Sequence, residues 1–533
     1  MTTSKMPSTR RNIKKWGFAF LLASPVFYLY GLHFLNYDSL HSPTGFIQWE
    51  HILYMCSSKE YATGNATFLY EWPVMNNYNN GKVFFQPQIF ILGYLWKWIN
   101  CQPGYIMAVF GLVFAVLTLR IVIHIIDLVL PADKHKKLIT ILFCWGGGIL
   151  SASGILLHFT FFNGSAANLS NHIFFLDPAG GSWCLNFGRS LIYPLEAYYH
   201  FLFAICILLV LKRNFPAVFL VMVLLIFSHP YTAIEIILII LVWLVAEVYY
   251  FKNKLLKGAD VWYIFSALIL FFIYYGIILN RIEIYRQINK INTLDWGYKA
   301  WHFIPAYAIV WLLSFFAIKN VPALKLHFAT ASNRLFFWWG TVAFLLSVHG
   351  FAIKPVQPIH FTRGYVYAGF FLFGMPVLQT MVKKLLLQRA RGYIVISALV
   401  FVFLFDNITW FCFAAERKNG AGVYFTTSET EVIDYFKNKN EKGIVIGSEK
   451  NYELNAGIQL YTKYKGWIPH PYLTLDADTK RMAVDSLLVK SKIDESWKIR
   501  PVYLYCAKND STLQIRDSTP VFENSSYKIF KIN

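Results

Sequence analysis

Long apolar segments separated by short polar ones fill the chain up to about residue 413. A helix needs about 20 apolar residues to cross a bilayer, and eleven segments reach or approach that length. We predict transmembrane helices at approximately 16–36, 103–119, 138–159, 196–211, 214–228, 231–250, 261–280, 300–318, 335–353, 365–382 and 392–413. The dipeptide His229-Pro230 separates the fifth span from the sixth, because proline cannot continue a helix without losing a hydrogen bond.

The remainder of the chain, from about residue 414, is polar and has short-period patterns. Ser428-x-x-Glu431 is typical of a capping box that opens a helix running to about Lys437. Strand-like segments follow at 443–447, 501–505 and 527–531, and a helix-like segment covers about 476–490. We therefore predict a transmembrane domain at 1–413 and a small α/β domain at 414–533.

Composition supports this fold class, an all-α polytopic membrane protein with a small C-terminal α/β domain. The chain is 56% hydrophobic and only 15% charged, whereas soluble proteins carry about 25% charged residues. The net charge of +20 does not indicate nucleic-acid binding, because the basic residues lie mostly in short loops beside apolar segments. The seven cysteines form no C-x-x-C pair, so the sequence indicates neither a zinc site nor a disulfide framework.

The distribution of Lys and Arg predicts the orientation. These residues concentrate in the segments 1–15, 120–137, 212–213, 251–260, 319–334 and 383–391, which all lie inside if the N-terminus is cytoplasmic. With eleven spans the C-terminal domain is then extracytoplasmic. The apolar segment after Lys15 has no cleavage site and is expected to be a retained helix. The absence of a transit peptide and of an endoplasmic-reticulum retention signal favours a bacterial inner membrane.

Two outer loops are too long to be simple connections. The loop 37–102 carries Asp38 and the sequence Trp49-Glu50-His51, and its segments 49–61 and 88–99 fit amphipathic helices lying at the membrane interface. The loop 160–195 carries Asp177 and Arg189. Both loops therefore place acidic, basic and aromatic residues on the outer face.

Shorter outer turns add further polar residues to the same face, namely His229, Arg281, His360 and Arg363. A carboxylate can deprotonate an acceptor hydroxyl, and arginine binds phosphate through two hydrogen bonds. This combination predicts a site for a membrane-bound, negatively charged substrate. Three further acids near outer helix ends are candidates of second rank: Glu196, Glu235 and Asp406.

With these residues the chain resembles the GT-C superfamily of polytopic glycosyltransferases that use polyprenyl-phosphate-linked sugars, including those of the protein-mannosyltransferase type. The similarity in topology extends over the whole chain. The sequence similarity lies in three short outer segments: Glu50-His51-Ile52-Leu53-Tyr54, Asn186-Phe187-Gly188-Arg189-Ser190-Leu191-Ile192-Tyr193-Pro194 and Pro358-Ile359-His360-Phe361-Thr362-Arg363-Gly364-Tyr365.

The resemblance implies roles for particular residues. Glu50 matches the first-loop acid that acts as general base on the acceptor, with Asp38 as the other candidate. Arg363 matches the arginine that contacts the lipid phosphate. The further candidates for substrate or phosphate binding are His360, Arg189, Asp177, His229 and Arg281. The superfamily has metal-dependent and metal-independent members, so no metal is implied.

The sequence thus predicts a membrane glycosyltransferase that moves a sugar from a polyprenyl-phosphate donor to an acceptor on the extracytoplasmic face. The acceptor can be a lipid, a glycan or a protein. Inverting transfer is expected, since one base suffices and no second carboxylate nucleophile is needed. Two alternatives stay open: a transporter or flippase for a lipid-linked or polar substrate, and a GT-C-like scaffold with a degenerate site.

Overall fold

The structure is a computed structural model of the 533-residue chain, and it is predominantly helical. It describes residues 9–35, 38, 40–74, 82–131, 133–177, 180–181, 183–184, 186–291, 300–319, 329–416, 422–439, 441–470, 473–490, 494, 497, 501–509 and 519–532.

The described α-helices are, in chain order, α1 (Thr9–Leu22), α2 (Ser24–Leu35), α3 (Glu50–Ala62), α4 (Pro87–Ile99), α5 (Pro103–Val129), α6 (Lys136–Trp145), α7 (Leu150–Thr160), α8 (Phe187–Ser190), α9 (Pro194–Leu211), α10 (Phe215–Ser228), α11 (Pro230–Val245), α12 (Gly258–Phe271), α13 (Glu283–Ile291), α14 (Ala300–Lys319), α15 (Ala331–Ser347), α16 (Tyr365–Leu386), α17 (Arg389–Glu416), α18 (Thr427–Lys439), α19 (Tyr452–Tyr461) and α20 (Ala477–Lys490). The described strands are β1 (His41–Pro43), β2 (Tyr424–Thr426), β3 (Ile444–Ile446), β4 (Lys465–Gly466), β5 (Val502–Ala507), β6 (Phe522–Glu523) and β7 (Tyr527–Lys531).

Each of the eleven predicted apolar segments contains a helix, but not all of these helices are candidate spans. Among the described residues, seven helices are long and apolar enough to cross a membrane. Two bent pairs, α1 with α2 at 49° and α6 with α7 at 51°, raise the number to nine if each pair is one span. The short helix α10 and helix α15 account for the other two segments. The candidate spans fit an integral membrane protein, and the number eleven stays a prediction.

The bend between α6 and α7 has a local cause in the sequence Gly146-Gly147-Gly148. A Cβ atom on Gly146 would collide with the hydroxyl of Tyr367, and one on Gly148 with the carbonyl oxygen of Pro305. The N-terminus of α7 is capped from another helix, because Asp406 in α17 accepts hydrogen bonds from the backbone N–H groups of Leu150 and Ser151 at 3.1 and 2.8 Å.

The chain forms two compact units. The first comprises Met1–Leu29, Gly111–Ile278 and Thr293–Glu416, and the second Tyr30–Phe110, Leu279–Asn292 and Arg417–Asn533. The second unit thus contains the tail together with the whole of the first long loop, 37–102, whereas the sequence predicted a separate domain made of the tail alone. Antiparallel pairing of β1 with β2, in which His41 faces Thr426, joins these two parts of the second unit.

The sheet of the second unit confirms the predicted strands. Five strands lie in the order β4-β3-β5-β7-β6, with β3 parallel to β4 and β5, and β7 antiparallel to β5 and β6. Apolar side chains of β3 and β5 pack with α20 around the fully buried Trp497. The predicted helix at 476–490 is α20, which begins at Ala477.

The predicted capping box is wrong by two residues. Helix α18 begins at Thr427, because the Thr426 hydroxyl accepts from the backbone N–H of Glu429 at 3.1 Å and the Glu429 carboxylate accepts from the backbone N–H of Thr426 at 2.8 Å. Ser428, the predicted cap, instead contacts the hydroxyl of Ser525 at 2.7 Å.

The two predicted interface segments are helices α3 and α4, but α3 does not have one polar face. Its buried side chains lie on most sides of the helix: His51, Ile52, Leu53, Met55, Cys56, Ser57, Ser58 and Tyr61. It packs against α4 and α19 within the second unit. Lys59 caps the end of α19 by donating to the carbonyl oxygen of Gln459 at 2.8 Å. Helix α3 is therefore a core element of its unit.

Candidate functional site

An ion pair between Arg363 and Glu196 lies at the centre of a polar cluster in the first unit. Arg363 follows a short 3-10 helix, Pro358–Phe361, and Glu196 lies in the first turn of α9. The guanidinium Nη1 contacts Glu196 Oε1. The Glu196 side chain is 6% exposed and the Arg363 side chain 18%, so the arginine is the accessible partner of the pair.

Two histidines lie beside each other in the same cluster, and a tyrosine stacks on each. The ring centroids of His229 and His360 are 5.2 Å apart. Tyr199 stacks on His229 at 4.5 Å and 12°, and Tyr231 stacks on His360 at 4.5 Å and 5°. The stacking fixes the planes of both imidazoles, which is how side chains in binding sites are held in one orientation.

His229 forms the predicted break between two helices. It ends α10 and caps α11, where its Nδ1 lies 3.3 Å from the backbone N–H and 2.9 Å from the hydroxyl of Thr232. The Thr232 hydroxyl is in turn 3.3 Å from the hydroxyl of Tyr365. The predicted interruption at His229-Pro230 is confirmed, and the imidazole that makes it lies in the cluster.

His200, which the sequence analysis did not single out, fixes the backbone of Arg363. It is fully buried, its Nε2 donates to the carbonyl oxygen of Arg363 at 2.7 Å, and its ring stacks on Tyr365 at 4.6 Å and 10°. The sequence contained a signal for it, because His200 is four residues after Glu196 and side chains four residues apart share a helix face.

Trp183 completes the surroundings of Arg363. The guanidinium carbon lies 5.0 Å from the centre of the Trp183 ring, within the range of a cation–π contact. The hydroxyl of Thr362 donates to the carbonyl oxygen of Trp183 at 2.8 Å, so the residue beside Arg363 also contacts the tryptophan backbone. The arginine is thus held by a carboxylate, an aromatic ring and its own backbone.

Asp177 and Arg189, both predicted to bind substrate, contact the loop that carries Trp183. One carboxylate oxygen of Asp177 accepts from the backbone N–H groups of Cys184 at 2.8 Å and Trp183 at 3.3 Å. Arg189 donates to the carbonyl oxygen of Gly181 and is 3% exposed. These contacts hold the loop, and substrate binding by either residue stays a prediction.

Gly364 allows the chain to turn directly after Arg363. Its φ of +83° lies in the left-handed region, which disfavours side chains, and an added Cβ would lie 2.7 Å from the Cα of Phe187. The cap of α16 and the position of the Arg363 side chain therefore both require glycine here.

We expect Gly364→Ala to destabilise the protein, since the backbone conformation alone costs about 1–3 kcal/mol for a residue with a side chain. Thermal unfolding in detergent should show a midpoint several degrees below that of the wild type. Gly276→Ala is the matched control, because nothing lies within 4 Å of the Cβ added there. Equal midpoints for the two variants would contradict the strained turn.

The remaining predicted residues, Asp38, Glu50 and Arg281, belong to the second unit. Asp38 is exposed, and its carboxylate accepts from Leu40 N–H at 2.7 Å and contacts His41 Nδ1 at 2.9 Å. The hydrogen bond with the His41 ring is the main cause that lowers the pKa of Asp38. Glu50 begins α3 and accepts from Gln48 Nε2 at 3.4 Å.

An aromatic group lies next to Glu50 in sequence. The Trp49 ring is 4.5 Å from Tyr452 and 4.6 Å from His470, measured between ring centroids. Burial lowers the pKa of His470 to about 4, so this imidazole is neutral at physiological pH. His470, a residue of the tail, thus packs against the predicted first outer loop within the second unit.

The chain matches no known protein-family model and no curated protein sequence. The resemblance to GT-C glycosyltransferases therefore stays a prediction. The structure brings His229, His360 and Arg363 into one cluster and adds Glu196 and His200 to it.

Proposed function

We propose that the protein is a membrane glycosyltransferase that moves a sugar from a polyprenyl-phosphate donor to an acceptor on the extracytoplasmic face. The observation that carries this proposal is the partly accessible Arg363, held by Glu196 and Trp183 beside two histidines. The proposal includes an N-terminus in the cytoplasm, as the charge distribution predicts, and a bacterial inner membrane, which the absence of a transit peptide and of a retention signal favours.

The site suits the phosphate of a lipid-linked sugar. Glu196 Oε1 engages Nη1 of Arg363, and a guanidinium has five N–H donors in a planar fork that matches phosphate oxygens. Helices α9, α11 and α16 begin at or next to Glu196, His229 and Gly364. The N-termini of these helices favour negative charge, so they support anion binding at the same place.

The chemistry is a single displacement. A base removes the proton from the acceptor hydroxyl, the resulting oxygen attacks the anomeric carbon of the sugar, and the bond from that carbon to the phosphate oxygen breaks. The bonding electrons leave with the polyprenyl phosphate. Arg363 stabilises the charge that develops on this leaving group, which is the role of preorganised donors in such reactions.

Of the two predicted carboxylates, Glu50 fits the role of general base better than Asp38. A base must accept a proton readily, whereas the hydrogen bond with His41 lowers the pKa of Asp38 and makes it a weaker base. The Asp38 carboxylate also accepts from the backbone N–H of Leu40, which gives it a local structural role.

We expect Glu50→Gln to reduce sugar transfer by about two orders of magnitude or more, because general-base catalysis contributes about 10²–10⁴-fold. Asp38→Asn is the matched control and should retain most of the wild-type rate. Initial rates with purified variants in detergent measure both. Full activity in Glu50→Gln would refute the assignment of the base.

A second candidate function, transport of a lipid-linked or polar substrate, is favoured by Glu235. This residue lies in the candidate span Pro230–Tyr250 and is fully buried. Within the part of the chain that the structure describes, neither of its carboxylate oxygens has a hydrogen-bond partner. Acids within membrane-spanning helices commonly mark proton or substrate pathways.

One experiment separates the two functions. Purified protein in detergent is incubated with a panel of polyprenyl-phosphate sugars labelled in the sugar and with a crude extract of lipids, glycans and proteins as the source of acceptor, and loss of the label from the donor lipid is measured. A glycosyltransferase releases polyprenyl phosphate and labelled product under these conditions. Transport cannot be measured without a sealed bilayer. Movement of the labelled substrate that occurs only in proteoliposomes and is abolished in Glu235→Gln would therefore favour transport instead.

A further inference from the structure

We infer that Glu196, His229 and His360 form a binding site for a divalent transition-metal ion, with zinc as the best match. Each side chain offers one ligand atom, and the three atoms lie within 4.8 Å of one another. A tetrahedral zinc ion with ligands at about 2.0–2.2 Å holds its ligand atoms about 3.3–3.6 Å apart, so ion binding would draw these side chains together by at most about 1.5 Å. The sequence indicated no metal site, because these residues come from three separate segments.

Two of the three side chains each carry a buried polar atom that makes no hydrogen bond within the described residues. Oε2 of Glu196 and Nδ1 of His360 are buried and lack hydrogen-bond partners there. The nearest basic nitrogen recorded for Oε2 is Nδ1 of His200, at 3.8 Å. Buried polar atoms without partners are costly, and a bound ion is one of the ways in which proteins satisfy them.

The third ligand, His229, has the outer-shell partner that metal-bound histidines usually have. Nδ1 of His229 lies 2.9 Å from the hydroxyl of Thr232 and also accepts from the backbone N–H of Thr232 at 3.3 Å. Metal binding through Nε2 requires the other tautomer, in which Nδ1–H donates to the hydroxyl and the longer contact with the backbone N–H is given up. Tyr365 lies 3.3 Å from the same hydroxyl and extends the chain of contacts. Such partners fix the tautomer and the ring orientation of a metal ligand.

Two imidazoles and one carboxylate are a ligand set found in catalytic zinc sites, in which the fourth position stays open. Glu196 is buried, while His229 and His360 are half-buried, so an ion can enter past the histidines. Softer thiolate ligands are absent from the cluster, which argues against copper(I), and imidazole nitrogens disfavour magnesium and calcium.

Arg363 makes the metal site dependent on anions. Its guanidinium engages Oε1 of Glu196, which leaves Oε2 for the metal. One carboxylate, one guanidinium and a divalent ion sum to two positive charges, with both imidazoles neutral. An anion at the open position would offset this charge, so phosphate should raise the affinity for the metal. Removal of the Arg363 charge should not weaken metal binding in the absence of an anion.

The test uses the full chain in detergent, stripped with a chelator and titrated with zinc or cobalt in the presence and absence of inorganic phosphate. We expect one equivalent of zinc to bind to the wild type, more tightly with phosphate. His360→Ala and Glu196→Gln should bind at least tenfold more weakly. Arg363→Gln should bind at least as tightly as the wild type without phosphate, a result that loss of structure would not produce.

If His360→Ala unfolds, a variant that places a different metal ligand at position 360 still tests the site. His360→Cys should still bind cobalt and add the near-ultraviolet charge-transfer band of a thiolate ligand to the visible spectrum of the wild type. His124→Ala, which alters a histidine outside the cluster in α5, is the control and should bind as the wild type does. Equal zinc and cobalt binding by wild type, His360→Ala and Glu196→Gln would overturn the site. Metal binding is measured without donor, so it stands or fails independently of sugar transfer.

Discussion

Replacement of Arg363 by glutamine is expected to reduce sugar transfer by about two to three orders of magnitude, the loss typical of removing one preorganised donor to a developing oxyanion. Glutamine retains a hydrogen-bond donor but has neither the charge nor the planar fork that grips phosphate. It also leaves Glu196 and Trp183 without the guanidinium that both contact. Initial rates at saturating acceptor, together with the Michaelis constant for the donor, measure the effect.

The matched control is Arg391→Gln, because Arg391 is an exposed arginine of the same unit near the start of α17. It should transfer sugar at the wild-type rate. Arg363→Lys should fall between the two, since lysine keeps the charge without the fork. A rate within twofold of the wild type for Arg363→Gln would exclude Arg363 as the phosphate ligand.

Loss of the buried ion pair between Glu247 and Arg334 is expected to have the largest effect on stability. Nε and Nη2 of Arg334 contact the two carboxylate oxygens of Glu247 at 2.5 and 2.7 Å, and both side chains are almost fully buried. Phe251 lies 4.0 Å from the guanidinium carbon, and Asn253 donates to Glu247 at 2.9 Å. Arg334→Met leaves the carboxylate buried without its partner, at a cost of about 3–5 kcal/mol.

A double variant separates the cost of an unpaired charge from a general loss of packing. Glu247→Leu combined with Arg334→Met removes both charges, and replacement of a buried pair by apolar side chains is often neutral or stabilising. We expect the thermal midpoint in detergent to fall strongly in Arg334→Met and to recover largely in the double variant. A double variant as unstable as Arg334→Met would show that packing, not the pair, is responsible.

The helices were predictable because their signal is local. Apolar segments, the break at His229-Pro230 and the strands of the tail all follow from neighbouring residues, and the structure confirms the helices and strands there. It was not predictable which segments of the chain form the second unit. Its link between the first loop and the tail is a pairing of two three-residue strands, β1 and β2, and such short strands have no pattern distinct from loops.

Part of the site was predictable because it, too, has a local signal in the sequence. His229, His360 and Arg363 lie at helix ends, where polar residues interrupt apolar segments visibly. Glu196, a candidate of second rank, and His200, one turn after it, lie within the apolar helix α9, and their tertiary contacts with Arg363 place them in the cluster. A motif search cannot supply such contacts, because the partners are separated by more than 160 residues.

Asp177 and Arg189 illustrate a second limit. An acid and an arginine in a long outer loop are equally consistent with substrate binding and with loop structure. Their hydrogen bonds to backbone atoms of Gly181, Trp183 and Cys184 show the role in loop structure, which a sequence does not contain, and substrate binding by either residue stays a prediction. Their variants should therefore affect the position of Trp183 before they affect chemistry.

The most direct test of the account is the binding of a lipid phosphate at Arg363. Purified wild type and Arg363→Gln are titrated in detergent with polyprenyl phosphate and with the corresponding unphosphorylated polyprenol, and the bound lipid is measured by native mass spectrometry. The account predicts that the wild type prefers the phosphate form by about tenfold or more, about 1.4 kcal/mol, and that Arg363→Gln loses this preference. The same preference in both proteins, or none in the wild type, would contradict it.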